Sequence, residues 1–155
     1  MTRKIISQSV LKKLSAKLHA QHKKIVFTNG AFDILHRGHV TYLQKAKTFG
    51  DVLVVAVNSD QSIKSYKSPE RPFNPEADRM AVIAALGCVD YAVLFTESTP
   101  LKLICAIKPD VLVKGADYKK SQIAGAQEVE SWGGKVKRVK LVPGRSSTRL
   151  IHLLK

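Results

Sequence analysis

At 155 residues the chain should form one domain with a single core of its own. Lys and Arg total 26 against 12 Asp and Glu, a formal charge of +14, so a polyanionic partner is implied: nucleic acid, an anionic membrane, or several phosphates in one site. No N-terminal apolar stretch of signal length and no run of transmembrane length occurs, so a soluble, cytoplasmic protein is expected. The two cysteines, Cys88 and Cys105, lie in apolar helical patterns without metal spacing and read as buried, reduced thiols.

In chain order, Ser7 to about Gln21 carries Val10, Leu11, Leu14 and Leu18 at helical spacing, with lysines opposite. It predicts an amphipathic lead-in helix within residues 1–23, packed on the sheet or on a second subunit, ahead of a domain over 24–155. Ile25 to Phe27 then form a short apolar run, a buried strand, ended by Thr28, Asn29 and Gly30. From about Gly38 the pattern turns helical through Val40, Leu43, Ala46 and Lys47, to about Phe49, with Gly50 as the stop. Free amides at such a helix start favour an anion, and His36 and His39, three residues apart, fall on one side of it. Gly38 between them has no Cβ to block a ligand. Neither the P-loop pattern nor Gly-x-Gly-x-x-Gly is present, and a metal site on the two histidines is not expected because no third ligand is evident.

Asp51 to Val57 is a continuous apolar run, a parallel strand covered on both faces, with Asn58, Ser59 and Asp60 at its carboxyl end. Gln61 to Pro72 is polar and holds Lys64, Lys67 and Arg71; an exposed loop and a mobile lid over a phosphate chain both fit it. Pro75 to Leu86 predicts a helix bearing Arg79, with Met80, Ile83 and Ala84 inward and Gly87 at its end. Then follow a strand over Tyr91–Phe95, a helix over Pro100–Ile107, a strand over Asp110–Val113 and the turn Lys114–Tyr118. A helix over Ser121–Trp132, a strand of mixed polarity near an edge over Val136–Val142, and a closing helix over Thr148–Leu154 complete the chain. Strands and helices alternate throughout, so the class is α/β, a single-domain, Rossmann-like, doubly wound parallel sheet. No internal repeat, low-complexity tract or linker interrupts it.

His36-x-Gly38-His39 after an apolar strand and a Gly turn resembles the signature of the cytidylyltransferase-like nucleotidyltransferase superfamily. Longer segments are similar to one branch, the bacterial D-glycero-β-D-manno-heptose 1-phosphate adenylyltransferases: Phe27-Thr-Asn-Gly-x-Phe-Asp-x-Leu-His-x-Gly-His39, Val57-Asn-Ser-Asp60, Arg71-Pro-x-Asn74, Asp78-Arg-Met80, Phe95-x-Glu-x-Thr-Pro100 and Pro109-Asp-Val-Leu-Val-Lys-Gly-x-Asp-Tyr118. The resemblance covers about residues 24 to 154. It implies transfer of AMP from ATP to a heptose 1-phosphate, giving ADP-heptose and pyrophosphate for lipopolysaccharide core. It further implies Mg²⁺ carried with ATP and no tightly bound cofactor, a homo-oligomer, and a separate heptose kinase upstream.

By the same resemblance Thr28, Asn29, Gly30, Ala31 and Phe32 would wrap the triphosphate with backbone amides, and Gly38 would let it approach. His36 and His39 would act on the α-phosphate and the leaving pyrophosphate, with Lys47, Lys67 and Arg79 as phosphate-binding cations. Ser146, Ser147 and Thr148 would take the terminal phosphates, and Lys114, Gly115 and Asp117 would border nucleobase and ribose. Asp33, Asn58, Asp60 and Arg71 would face the sugar substrate. Ala31 stands for a common Cys, Ser68 for the Gly after the lid lysine, and Ala116 for a frequent Gly. Two registers of Ser146-Ser-Thr-Arg149 against the family's Ser-Thr-Thr remain open.

A sugar-phosphate oxygen attacking the α-phosphorus of ATP needs no side-chain base, because a phosphate monoester is already anionic at neutral pH. Alignment and charge neutralisation then suffice. A cytidylyltransferase acting on glycerol 3-phosphate is the rival enzyme. It is disfavoured by the Arg71-Pro72 and Lys114–Tyr118 segments and by the lack of a basic residue between Met80 and Gly87. A nucleic-acid-binding module is the rival of another class, but it would want an aromatic stacking surface that the chain lacks, so no nucleic-acid or membrane partner is expected.

Overall fold

The computed structural model describes residues 3–154; positions 1, 2 and 155, the outer ends of the two expected segments, lie outside the described residues. Five parallel strands, β1 Ile25–Gly30, β2 Val52–Asn58, β3 Tyr91–Phe95, β4 Val111–Gly115 and β5 Lys135–Val139, form one sheet in the order β3-β2-β1-β4-β5. The helices are α1 Gln8–Ala20, α2 Arg37–Lys47, α3 Asp60–Tyr66, α4 Glu76–Ala85, α5 Leu101–Ile107, α6 Ala126–Ser131 and α7 Ser147–Leu154. This is the doubly wound Rossmann-like arrangement that the alternation of elements predicts.

The period-2 geometry of β2 shows why a continuous apolar run is required. Leu53, Val55 and Val57 face one layer with Leu43 and Ala46 of α2 and Ile83 and Ala84 of α4. Val54 and Ala56 face the other, with Leu11 and Leu18 of α1, Ile104 and Ile107 of α5 and Val129 of α6. Truncating any of the large, wholly buried members of either layer would cost about 2–5 kcal/mol. Ser7 caps α1 through its side chain on Val10 N–H, and residues 4–6 add a short parallel stretch along the outer side of β3. The opposite edge, β5, is guarded by exposed lysines instead, which discourages strand addition.

Three expectations need correcting. Half of the polar stretch after β2 is not loop but α3: Ser59 caps it, accepting from Ser62 N–H at 3.1 Å, and Ile63 alone anchors it in the core. The helix expected over 121–132 breaks at Gly125, whose φ of +85° lets the backbone pass Ile104; a Cβ there would come within 2.8 Å of that side chain. Cys105 is exposed on α5, and Cys88 sits half-buried in the turn before β3, its thiol pushed up chiefly by burial. α2 stops at Lys47 with Thr48 as its cap, short of Gly50, where a Cβ would strike Val26 and the Lys24 carbonyl, so that glycine serves close packing on β1.

Candidate active site

Strand order reverses between β1 and β4, and open α/β sheets bind ligands outside the carboxyl ends of strands at such a point. Here the two strands pair only at Val26↔Val111 and Phe27↔Leu112. Beyond that, toward Gly30 and Gly115, Lys114 spans the gap with its ammonium on the Asn29 carbonyl at 3.1 Å. The opening continues into a cleft of about 480 Å³, a size suited to a nucleotide.

The histidines stand at the start of α2, and both ring Nδ1 atoms are occupied. His36 caps the helix, its Nδ1 accepting from Gly38 N–H at 3.1 Å, while His39 Nδ1 accepts from His36 N–H at 3.4 Å. Those bonds place the proton of each neutral ring on Nε2, leaving two N–H donors for a ligand. The rings stack with centroids 4.0 Å apart. His39 is pushed down to about 4 by burial, then by His36 and Lys67; His36 is lowered by burial and by Arg145. The cleft therefore presents neutral imidazoles at neutral pH. His36 Nε2 and Asn29 Oδ1 are both buried without a partner, which is the mark of polar atoms awaiting a ligand. A Cβ on Gly38 would lie 2.8 Å from His36 Cε1, so the glycine also keeps this imidazole in place.

A second helix start converges on the first. Ser146 Oγ accepts from Arg149 N–H at 3.1 Å at the head of α7, and Ser147 Oγ donates to the Ile34 carbonyl at 3.0 Å, fastening α7 to the loop before α2. Ser146, Ser147 and Thr148 all line the cleft, so the α7 amides and hydroxyls add to those of α2. Lys67, Arg71, Lys114 and Arg145 line it too. Lys114 is brought down to about 8, by burial and against the pull of Asp117, and Lys67 is lowered by burial and Arg71; an arriving anion would shift both back up.

Gly30, Ala31, Phe32, Asp33, Asn58, Gly115 and Asp117, each expected from the sequence, also face this cleft. Asp33 has a structural task as well. Its carboxylate accepts from Phe73 N–H and Asn74 N–H at 2.9 Å and pairs with Arg71 Nε at 2.8 Å, tying the Arg71–Asn74 segment to the loop after β1. Asn58 donates from Nδ2 to Ser62 Oγ, fixing the start of α3. Of the two candidate lid lysines, Lys67 lines the cleft and Lys64 does not.

Four expected residues lie elsewhere. Thr28 is wholly buried, and its hydroxyl meets the Tyr42 hydroxyl at 2.7 Å, so it holds Tyr42 against the cleft wall. Lys47 is at the far end of α2, roughly 15 Å from the histidines at 1.5 Å per residue, where it pairs with Asp90. Arg79 is 1 % exposed and spends its donors inside the protein: Nε on the Asn74 carbonyl (2.9 Å), Nη1 on the Ala31 carbonyl (2.6 Å) and Nη2 on Asp60 Oδ1 (2.8 Å). Asp60 is thereby bound to Arg79 and does not line the cleft.

The sequence reading missed Tyr42, Tyr66, Ser98, Leu141 and Arg145 as cleft residues. Tyr42 was recoverable, lying one helical step after His39, and so was Arg145, immediately before the serine run. Ser98 gave no signal.

A reversed strand order, two converging helix starts and paired Nε2 donors give this α/β domain a cleft suited to an anionic ligand. The chain belongs to the cytidylyltransferase-like family of nucleotidyltransferases, whose family model matches residues 27–152. It is 56 % identical over 132 residues to the bifunctional protein HldE of Geobacter metallireducens, covering 85 % of this chain and 27 % of that protein. To HldE of Magnetococcus marinus it is 50 % identical over 149 residues, 96 % of this chain and 31 % of the relative. The chain thus spans less than a third of the length of these relatives. Among solved structures it is similar to the lipopolysaccharide core biosynthesis protein of Thermoplasma volcanium, with a TM-score of 0.63 and 33 % identity, covering 77 % of this chain and 97 % of that one. Pantoate-β-alanine ligase of Francisella tularensis, at 19 % identity, TM-score 0.61 and coverage of 93 % and 68 %, shares the fold.

Proposed function

We propose that the protein transfers AMP from ATP to a heptose 1-phosphate, yielding ADP-heptose and pyrophosphate for lipopolysaccharide core assembly. The observation that carries the chemistry is the pair of neutral imidazoles with Nδ1 consumed by backbone and Nε2–H left for phosphate oxygens, beside a second helix start. Extensive similarity to HldE proteins, and to a lipopolysaccharide core biosynthesis protein, supports the sugar.

In this reading a sugar-phosphate oxygen attacks the α-phosphorus in line. The bond to the bridging oxygen of the β-phosphate breaks, and pyrophosphate leaves with that electron pair. His36 and His39 donate to oxygens whose charge grows in the transition state. Lys67, Arg71, Lys114 and the head of α7 hold the phosphate chain, while Lys114 to Tyr118 border the nucleoside. No general base is needed. Among the described residues no three His, Cys, Asp or Glu side chains gather into a metal cage, so Mg²⁺ would enter as part of MgATP, held by phosphate and water, and would neutralise triphosphate charge. No helix among the described residues is long and apolar enough to cross a membrane, and the reaction fits the cytoplasm, where ATP and a kinase-made sugar 1-phosphate are available.

Phosphorus NMR of protein, MgATP and heptose 1-phosphate should show a new pyrophosphate diester and free pyrophosphate in equal amounts. His39→Ala and His36→Ala should each lower turnover on the order of 10²-fold with a smaller change in ATP affinity. Near-normal turnover in either folded variant would remove that imidazole from the mechanism.

A further inference from the structure

The cleft takes up only part of the positive charge, and the remainder is not spread evenly. The first carboxylate in the chain is Asp33, which is buried, and none occurs from Ser98 to Pro109. α1 and α5 therefore carry no acidic residue, and they pack side by side: His19 Nε2, in the last turn of α1, donates to the Ile107 carbonyl at the end of α5 at 3.0 Å. Leu11, Ser15 and Leu18 of α1 and Leu103, Ile104 and Ile107 of α5 point inward. The outer sides are left to Lys12, Lys13, Lys17 and Lys102, all exposed, with Lys23 and Lys108 following the two helix ends. Among the described residues none of these ammoniums pairs with a carboxylate. Acids on the adjoining elements are engaged elsewhere: Asp110, after α5, accepts from Ile25 N–H at 2.7 Å, and on α6 Glu130 pairs with Lys120 while Glu128 is half-buried. Unpaired lysines gathered on one face repel one another, and a polyanion that covers the face relieves that repulsion.

Three features choose among polyanions. The cations on this face are all Lys, flexible and hydrated point charges that suit mobile headgroups, whereas phosphates fixed in place are better matched by the forks of Arg. The exposed residues between them, Ser9, Ala16, Ala20 and Ala106, are small and raise no walls for a nucleic-acid groove, and neither helix contains an aromatic ring on which a base could stack. Lysines clustered on an amphipathic helix are, by contrast, a pattern that binds anionic bilayer surfaces. We infer that the α1–α5 face is a peripheral docking surface for a bilayer containing anionic phospholipid, its lysines lying against headgroup phosphates. No helix among the described residues is long and apolar enough to cross a membrane, and the contact is an electrostatic, reversible one at the bilayer surface. The cleft opens at the carboxyl ends of the strands and not on this face, so a docked molecule keeps it accessible. The two helices meet through residues 88 positions apart, which is why the pattern along the chain alone points to no membrane partner.

The test is co-sedimentation of the full chain with vesicles of phosphatidylcholine containing about one-third phosphatidylglycerol, against vesicles of phosphatidylcholine alone. Wild-type protein should pellet with the anionic vesicles only, and the binding should fade as salt rises. Lys12→Glu/Lys13→Glu/Lys102→Glu should weaken it roughly tenfold or more, and the corresponding triple Gln variant, which neutralises without reversing charge, by less. Lys135→Glu/Lys137→Glu/Lys140→Glu, which changes the net charge equally but on β5 and the residue after it, should lose far less. All these positions are exposed, and circular dichroism checks that each variant is folded. No binding of wild-type protein to the anionic vesicles would overturn the inference. So would an equal loss in the two Glu variants, which would show net charge acting without a face. Capture of a duplex oligonucleotide at a salt concentration that releases the vesicles would also overturn it and give the face to nucleic acid. The measurement needs no nucleotide and no turnover, so it stands or falls independently of the sugar-nucleotide reading.

Discussion

Replacing Arg79 separates two roles that a buried cation beside a phosphate site is easily given. Arg79→Ala deletes the donors to the Asn74 and Ala31 carbonyls and to Asp60. The Asp60 side chain is 33 % exposed and can rehydrate, so its loss counts for little. The two carbonyls, left without their donor, cost about 1–3 kcal/mol each, and the emptied space around a wholly buried side chain adds to that. The total, about 3–5 kcal/mol, matches what breaking a buried charged contact costs and would consume much of a stability of about 5–15 kcal/mol. Urea unfolding followed by circular dichroism should show that shift for Arg79→Ala and a smaller one for Arg79→Lys. Because Ala31 lines the cleft, Arg79→Lys should also lower turnover more than it raises the KM for ATP. If Arg79→Ala unfolds within about 1 kcal/mol of wild type and instead raises the KM for ATP tenfold, Arg79 is a phosphate ligand and the structural argument fails.

Gly38→Ala should lower turnover about 10²-fold with stability changed by less than about 1 kcal/mol, because the new Cβ displaces the His36 ring while suiting a helix; a rate near wild type would refute the orientation argument. His39 is lowered from 6.5 to about 4, so its effect on stability is fully present above pH 6.5 and is lost as pH falls toward 4. After allowance for solvent screening that loss is about 1–2 kcal/mol, and unfolding titrations should show His39→Gln flattening the slope in this window. Lys47→Ala should leave kcat and the KM for ATP within about threefold of wild type, since its partner Asp90 is one-third exposed and both lie far from the cleft; a tenfold rise in KM would return it to the phosphate site.

The parts of this protein that could be read in advance are those encoded by local pattern. β1, its glycine turn and the histidines of α2 follow from a run of β-branched residues, a small residue and a three-residue spacing. The fold follows from strand and helix periods repeated along the chain. What local pattern does not give is a charge's distant partner. Arg79 reads as a cation near phosphate, yet its acceptors come from Ala31, 48 positions away, and Asp60, 19 away. Lys47 ends α2 on Asp90, away from the cleft. α3 was hidden because Ile63 is its only deeply buried apolar side chain, too little for a periodic signal. Asp33 lines the cleft, but its hold on Arg71, Phe73 and Asn74 depends on a loop 40 residues away.

The measurement that bears most directly on the account is pyrophosphate release with each of the four nucleoside triphosphates, crossed with heptose 1-phosphate and glycerol 3-phosphate. A base edge read by hydrogen bonds near Lys114 and Gly115 would penalise an analogue with donors and acceptors reversed. ATP with heptose 1-phosphate should therefore exceed CTP with either acceptor by roughly 10²-fold or more in kcat/KM. Preference for CTP with glycerol 3-phosphate would contradict the substrate assignment while sparing the phosphate chemistry, and no release with any pair would contradict the account as a whole.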